Sequence, residues 1–94
     1  MLQVIWAPEA EETFDAIHTH ILNNWGAQSS ANFIRKTKKL LKSISVMPHM
    51  FPQTKIPNIR KAVIVPQSSL FYEVHEDHIG LLFFWDNRQE PISL

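Results

Sequence analysis

The densest group of potential metal ligands in the sequence is the run His-Glu-Asp-His at residues 75–78. Two imidazoles and two carboxylates can bind a divalent cation, but this spacing matches no recognised ligand pattern. Residues of this kind are common in polar turns. Another close pair, His18 and His20, lies about 200° apart around a helix and cannot share a ligand. We therefore expect no metal and no cofactor.

One face of a predicted helix carries four basic residues: Arg35, Lys38, Lys39 and Lys42. As a solvated face near the helix C-terminus, where the helix dipole favours cations, they need no function. As a binding surface, they could attract an acidic partner or contact the phosphates of a nucleic acid. No aromatic residue lies between them for base stacking, which disfavours a site for single-stranded nucleic acid. The sequence leaves these interpretations open.

Arg88 follows the last predicted strand, in a polar turn that includes Asp86. One interpretation is a local ion pair with Asp86 or Glu90. The other is a cation that contacts a target at the edge of the sheet, near Arg60 and Lys61. Both interpretations remain open at this point.

The elements that position these side chains begin with an apolar strand at residues 2–6. Pro8 and the acidic residues behind it predict a helix start, and Gly26 predicts its end. The helix has one apolar stripe, formed by Ala10, Phe14, Ile17, Ile21 and Trp25.

A second helix is predicted to start at Ser29 or Ser30, because either side chain can cap it. It ends before an irregular connection at residues 48–59, which contains three prolines. Its buried face consists of Phe33, Thr37, Leu40, Leu41 and Ile44. The short link between the two helices predicts an antiparallel helical hairpin.

Three further strands are predicted at residues 62–66, 69–75 and 79–85. Their short connections predict antiparallel pairs. The element order β-α-α-β-β-β indicates an α+β fold, in which an antiparallel sheet carries an α-helical hairpin on one face. A chain of 94 residues has room for one domain, 1–94.

The last strand is apolar on both faces. Strict alternation places Ile79, Leu81, Phe83 and Trp85 on one face and Leu82 and Phe84 on the other. The helical hairpin can cover only one face of the sheet. The second face is therefore covered either by the connection at residues 48–59 or by a partner chain.

Composition limits the class of protein. The chain has no cysteine, so it forms no disulfide and no Cys-ligated zinc site. It has neither a signal-peptide pattern nor an apolar run of about 18 residues, which indicates a cytoplasmic protein. The nine basic and nine acidic residues cancel, yet eight of the basic residues lie within residues 35–61. Such a segment can meet a polyanion or an acidic partner.

Three features together are specific: the element order, the basic middle segment and the sequence SLFYEVHEDHIGLLFFWDNRQEP at residues 69–91. In these features the chain resembles the RelE/ParE toxins of bacterial type II toxin–antitoxin systems, the plasmid stabilisation type, over nearly its whole length. The resemblance implies a growth-inhibiting toxin that a cognate antitoxin neutralises in a hetero-oligomeric complex, by covering its apolar surface. The residues expected to bind the antitoxin are Leu82, Phe84 and Trp85.

The family has two activities. RelE-like members cut mRNA on the ribosome, whereas ParE-like members inhibit DNA gyrase without chemistry of their own. For the RelE-like chemistry, the chain offers the cations Lys55, Arg60, Lys61 and Arg88. However, Ser69 stands where RelE-like members carry an arginine, and no tyrosine follows Arg88. The only tyrosine, Tyr72, is expected to be a packing residue within a strand.

The resemblance and these departures favour a non-catalytic, ParE-like toxin. We expect it to contact gyrase or another target through Arg60, Lys61 and Arg88. One alternative is a RelE-like, ribosome-dependent mRNA endoribonuclease. The other is a degenerate toxin-fold protein that serves only as a binding module.

Overall fold

Two long helices separate the first strand from the other three. A computed structural model describes residues 1–92 and 94, and its element order is the predicted β-α-α-β-β-β. The elements are β1 (Gln3–Trp6), α1 (Pro8–Trp25), α2 (Ala27–Val46), β2 (Ile59–Val65), β3 (Ser68–Val74) and β4 (His78–Asp86). The predicted α+β class and its helical hairpin are confirmed.

Gly26 joins the two helices. Its backbone N–H donates to the Leu22 carbonyl at 3.1 Å, and its φ of 91° with a ψ of 177° is a conformation that essentially only glycine adopts. Because α2 begins immediately after Gly26, the prediction that Ser29 or Ser30 caps it is wrong. The Ser30 hydroxyl is buried within α2 and forms a hydrogen bond with His18 of α1.

The four strands form one sheet in the order β1-β4-β3-β2. The pairs β2–β3 and β3–β4 are antiparallel, as predicted, but β1 pairs with β4 in parallel. The sheet is therefore mixed, and the expectation of a wholly antiparallel sheet is wrong at β1. A parallel neighbour needs a long crossover, and the segment between β1 and β4 includes both helices and two strands.

The helical hairpin packs on one face of the sheet, which we call the inner face. The core lies between these two layers and consists of Ala10, Ile44, Ala62, Leu70, Tyr72, Ile79, Leu81 and Phe84. Phe14 of α1 contacts the rings of Trp6, Phe33 and Phe84, with ring centroids 5.2 to 5.5 Å apart. Such aromatic contacts contribute stability beyond the area that they bury.

A β-bulge in β4 changes which side chains face the core. Phe71 of β3 pairs with Phe83, but Tyr72 pairs with Leu81, so Leu82 is an extra residue on β4. One extra residue reverses the alternation of side chains beyond it. Phe84 therefore lies on the inner face and is only 2% exposed. The predicted assignment of Phe84 to the other face is wrong for this reason.

Two hydrogen bonds hold the last part of the chain. On the outer face of the sheet, Ser69 Oγ accepts a hydrogen bond from the Asn87 side chain at 2.9 Å. The Leu94 carbonyl accepts a hydrogen bond from the Lys55 backbone N–H at 3.1 Å. On the same outer face, Phe71 stacks on Phe83, with ring centroids 4.9 Å apart, and is only 2% exposed.

Part of the connection at residues 48–59 packs on the inner face. Its Phe51 lies against the main core, and its Pro48 carbonyl accepts a hydrogen bond from the Tyr72 hydroxyl at 2.8 Å. This part of the connection therefore does not cover the outer face.

Candidate functional site

Arg60 lies in β2 and binds the connection that precedes the strand. Its Nη1 donates to the carbonyls of Phe51 at 2.7 Å and of His49 at 3.3 Å, and Nη2 donates to the Gln53 side chain at 3.4 Å. The residue is half-buried, and its Nε is buried without a partner. Hydrogen bonds from a charged donor are stronger than neutral ones. Arg60 therefore holds the connection against the inner face.

Tyr72 performs a similar role from the neighbouring strand. It lies opposite Arg60, is fully buried, and donates its hydroxyl hydrogen to the Pro48 carbonyl at 2.8 Å. Burial raises the pKa of Tyr72 to about 12, although the charge of Arg60 opposes the shift. A neutral, buried phenol with a carbonyl partner is a packing residue, as the sequence predicts.

Arg88 forms a two-pronged ion pair with Asp86. Its Nε and Nη2 donate to the two carboxylate oxygens at 2.9 and 2.7 Å. This hydrogen bonding lowers the pKa of Asp86 and raises the pKa of Arg88. The Arg88 side chain remains 46% exposed. The local ion pair is therefore present, with Asp86 as its partner, and the cation still faces solvent.

The candidate cations do not converge. Arg60 pairs with Tyr72 near one end of the sheet, whereas Asp86 pairs with Ser68 near the other. Four residues along a strand separate these positions by about 13 Å. The expectation that Arg88 lies near Arg60 and Lys61 is wrong. Because β2 and β4 both run antiparallel to β3, β4 ends at the same end of the sheet as β2, away from Arg60 and Lys61 at the start of β2.

Lys61 lies on the opposite face of the sheet from Arg60. Neighbouring residues of a strand point to opposite faces, and Lys61 pairs with Phe71, with its Nζ 5.9 Å from the centre of that ring. Lys55 is exposed in the preceding connection. The set that the sequence suggested for RNA cleavage is thus divided between the two faces and the two ends of the sheet.

The histidines at the β3–β4 turn stack on each other. The rings of His75 and His78 have centroids 4.3 Å apart, and each ring contacts a different carboxylate, Glu73 at 3.0 Å and Asp77 at 2.7 Å. The hydrogen bond with His78 lowers the pKa of Asp77. Within residues 1–92 and 94, no three such side chains are grouped as metal ligands.

The four basic residues predicted to share one face of α2, Arg35, Lys38, Lys39 and Lys42, are all exposed. No carboxylate lies within 4 Å of any of them in the part of the chain that the structure describes. The helix itself contains no acidic residue. Their positive charge is therefore not neutralised by ion pairs within this part of the chain.

The residues expected to bind an antitoxin differ in accessibility. Leu82 and Trp85 are half-buried, and the Trp85 Nε1 has no hydrogen-bond partner. Phe84 is enclosed by the protein's own core, so its side chain is not available in the isolated chain. Of the three residues, only Leu82 and Trp85 can present surface to a partner.

The sequence did not reveal a groove at the tip of the helical hairpin. Trp25 was assigned to the buried stripe of α1, but its side chain is 66% exposed because the last turn of the helix extends past the core. Beside it lies a cavity of about 330 Å³ between both helices and the end of the sheet. The sequence did carry one signal for the exposure of Trp25, because this residue lies next to Gly26, where the helix ends.

A mixed four-stranded sheet with a helical hairpin on one face defines a small α+β protein. The same fold occurs in toxin–antitoxin structures. A chain of "Chromosomal ParDE TA system from P. aeruginosa" superposes with a TM-score of 0.75 and 18% identity, covering 92% of this chain and 96% of that one.

Two further structures share the fold. A chain of the E. coli DinJ–YafQ complex gives a TM-score of 0.67 at 10% identity, covering 94% of this chain and 96% of that one. The YoeB dimer from Staphylococcus aureus gives 0.61 at 19% identity, covering 87% and 92%.

The family profile described as "ParE toxin of type II toxin-antitoxin system, parDE" matches residues 4–91. The chain therefore belongs to the ParE toxin family. No curated protein matches its sequence. No helix in the described part of the chain is long and apolar enough to cross a membrane.

Proposed function

We propose that this chain is a ParE-like toxin that inhibits its target by binding it, without cutting RNA. Our first candidate for the target is DNA gyrase, which implies action in the cytoplasm. The observation that carries the proposal is the dispersal of the candidate cations over both faces and both ends of the sheet.

The dispersal of the cations argues against metal-free RNA cleavage because of the groups that this reaction requires. The reaction needs a base for the 2′-hydroxyl, cations for the phosphorane charge and a proton donor for the leaving oxygen, all at one phosphate. Arg60 is engaged with backbone carbonyls, and the Tyr72 hydroxyl is buried against Pro48. Arg88 is paired with Asp86, whose position in the sheet lies about 13 Å from that of Arg60 along the strand direction.

We also propose that a cognate antitoxin covers part of this chain, which acts as one domain, 1–94. The solved structures of the same fold support this, since two of them are of the ParDE toxin–antitoxin system and of the DinJ–YafQ complex. Among the predicted contacts, Leu82 and Trp85 keep accessible surface. Plasmid stabilisation would be the biological role of such a pair.

A second candidate is a RelE-like mRNA endoribonuclease. One observation favours it: three of the cations, Lys55, Arg60 and Lys61, lie near the start of β2. The hydrogen bond from the Thr54 N–H to the Ile59 carbonyl brings the residue before Lys55 next to the first residue of this strand. Cations at one end of the sheet could bind RNA phosphates. Against this, the side chains of Arg60 and Lys61 point to opposite faces.

Two assays on the purified chain separate the candidates. In the first, gyrase supercoils a relaxed plasmid with and without the chain. In the second, ribosomes carry a message, and the RNA is examined for cuts. We expect inhibition of supercoiling and an intact message. Loss of inhibition in Lys61→Ala or Arg88→Ala, but not in the control Lys36→Ala, would assign the target contact.

Two results would overturn the proposal. Cleavage of the message in the ribosomal A site, lost in Arg88→Ala, would establish the endoribonuclease. If cells that express the chain grow normally, and if the purified chain does not inhibit supercoiling, only the binding-module alternative remains.

A further inference from the structure

The tip of the helical hairpin carries a groove with two depressions, one on each side of Trp25. The deeper one is the cavity of about 330 Å³, whose lining includes Ile17, Ile21, Phe33, Val65 and Ser68. The shallower one runs along α2 past Gln28 and Asn32 to Arg35. Trp25, Ser29 and Asn32 border both depressions, so the two lie side by side, and we refer to them together as the groove.

The deeper depression has the chemistry of a pocket for an apolar side chain. Ile17, Ile21, Phe33 and Val65 form an apolar part of its lining, beside polar residues that include Asp86 and Arg88, and the exposed Trp25 borders it. Ser68 is 1% exposed, and its Oγ is buried without a hydrogen-bond partner. An unpaired buried hydroxyl is unfavourable, so a ligand with a polar atom at this point would gain a hydrogen bond. Exposed tryptophans beside apolar pockets are typical of binding hot spots.

The shallower depression favours an acidic ligand. Arg35 lies at its end, on a helix with five exposed cations and no acid. Near the deeper depression, Arg88 and Asp86 neutralise each other. The net charge along the groove is therefore positive, which attracts carboxylates.

The chain's own ends do not occupy the groove. Leu94 is held beside Lys55, and the N-terminal Leu2 is held by Ser45 at the opposite end of α2 from Trp25.

We propose that this groove binds an acidic, amphipathic segment of a protein partner. One apolar side chain of the segment enters the cavity against Trp25, and its carboxylates contact Arg35. This inference rests on the proposed function, because the antitoxin is the partner that we expect to carry the segment. It adds a docking site separate from Leu82 and Trp85, which were expected from the sequence.

The test uses the protein encoded by the reading frame next to that of this chain, purified with it and then titrated against it by calorimetry. We expect Trp25→Ala to weaken binding about 30-fold or more and Arg35→Glu to weaken it about 10-fold. Two matched controls should change affinity less than about 2-fold. Met47→Ala removes an equally exposed apolar side chain at the other end of α2, and Lys36→Glu reverses a charge outside the groove.

The possible failures are distinguishable. If the partner binds and relieves growth arrest, but Trp25→Ala and Arg35→Glu bind as tightly as the wild type, the groove is not its site and only this inference fails. If the neighbouring protein does not bind and the chain does not arrest growth, the proposed function fails and the inference fails with it. Binding of a 20-nucleotide oligonucleotide that Arg35→Glu abolishes, while partner binding is unchanged, would assign the groove to nucleic acid and overturn the inference.

Discussion

At the scale of single residues, the two arginines expected to contact a target have different environments. Arg60 is half-buried and donates to the carbonyls of the preceding connection, whereas Arg88 is nearly half exposed and paired with one carboxylate. The alternation of side chains in β2 could have predicted the environment of Arg60, since this residue lies two positions before the buried Ala62 and so shares its face. Its carbonyl partners could not be read from the sequence, because they lie in an irregular connection.

Replacing Arg60 should therefore affect folding more than target binding. We expect Arg60→Met to lower the free energy of unfolding by about 2–3 kcal/mol, because the charge-assisted hydrogen bonds to the connection are lost. The matched change Lys61→Met, on the exposed neighbour, should alter it by less than about 0.5 kcal/mol. Urea denaturation followed by circular dichroism measures both. Equal effects of the two substitutions would refute the structural role of Arg60.

The ion pair of Arg88 can be tested through the pKa of its partner. The hydrogen bond from Arg88 holds the pKa of Asp86 below its ordinary value of 3.8. A carboxyl group with a lowered pKa stabilises the fold above its ordinary pKa, and this stabilisation is lost as the pH falls through the folded-state value.

In Arg88→Ala, the pKa of Asp86 should rise toward its ordinary value. The stability difference from the wild type should be greatest above pH 4 and should disappear in stronger acid. An NMR titration of the carboxyl carbons measures the pKa, and Asp77 is an internal control because its lowered pKa depends on His78. A titration of Asp86 that the substitution leaves unchanged would contradict the assignment.

At the scale of elements, the sequence predicted most of the fold. The start of α1 at Pro8, its end at Gly26 and the two antiparallel strand pairs follow from local signals. The start of α2 was misplaced because the serines looked like caps, whereas Gly26 serves both helices. The bulge at Leu82 was missed because it is a property of the pairing between strands, and a single strand carries no local signal for it.

The bulge has a measurable consequence for two adjacent phenylalanines. Phe84 is enclosed in the core between Trp6 and Phe14, so Phe84→Ala should lower the free energy of unfolding by about 3–5 kcal/mol. Phe83 is half-buried on the outer face against Phe71, so Phe83→Ala should lower it by about 1–2 kcal/mol. Urea denaturation of both variants gives the comparison. A larger loss of unfolding free energy in Phe83→Ala than in Phe84→Ala would contradict the bulge and support the strict alternation that the sequence suggested.

At the scale of the whole molecule, the expected partner surface is smaller than the sequence indicated. The prediction counted both faces of β4 as apolar and assigned the cover of one of them to the connection at residues 48–59 or to a partner chain. In the structure, the bulge places Phe84 in the core, and Leu94 is hydrogen-bonded to Lys55. The path of a tail without regular structure could not be predicted, because no periodic pattern specifies it. The exposed apolar surface instead includes Trp25 at the hairpin tip.

If the tail covers the outer face, removing it should expose that face without unfolding the protein. A chain that ends at Glu90 lacks the half-buried Ile92 and Leu94 and the hydrogen bond from Lys55. We expect the free energy of unfolding to fall by about 1–2 kcal/mol. Binding of an apolar fluorescent dye should increase, because Phe71 and Trp85 gain exposure.

A second variant distinguishes the effect of the tail's apolar side chains from the effect of its length. Replacing residues 91–94 by Gly-Ser-Gly-Ser keeps the chain length but removes the apolar groups, so it should behave like the truncated chain. Both changes are measured by dye fluorescence and urea denaturation, with Met47→Ala as a control for an exposed apolar residue far from this face. If both variants bind no more dye than the wild type and unfold at the same urea concentration, the tail does not protect the sheet. A partner chain would then remain the cover for the outer face.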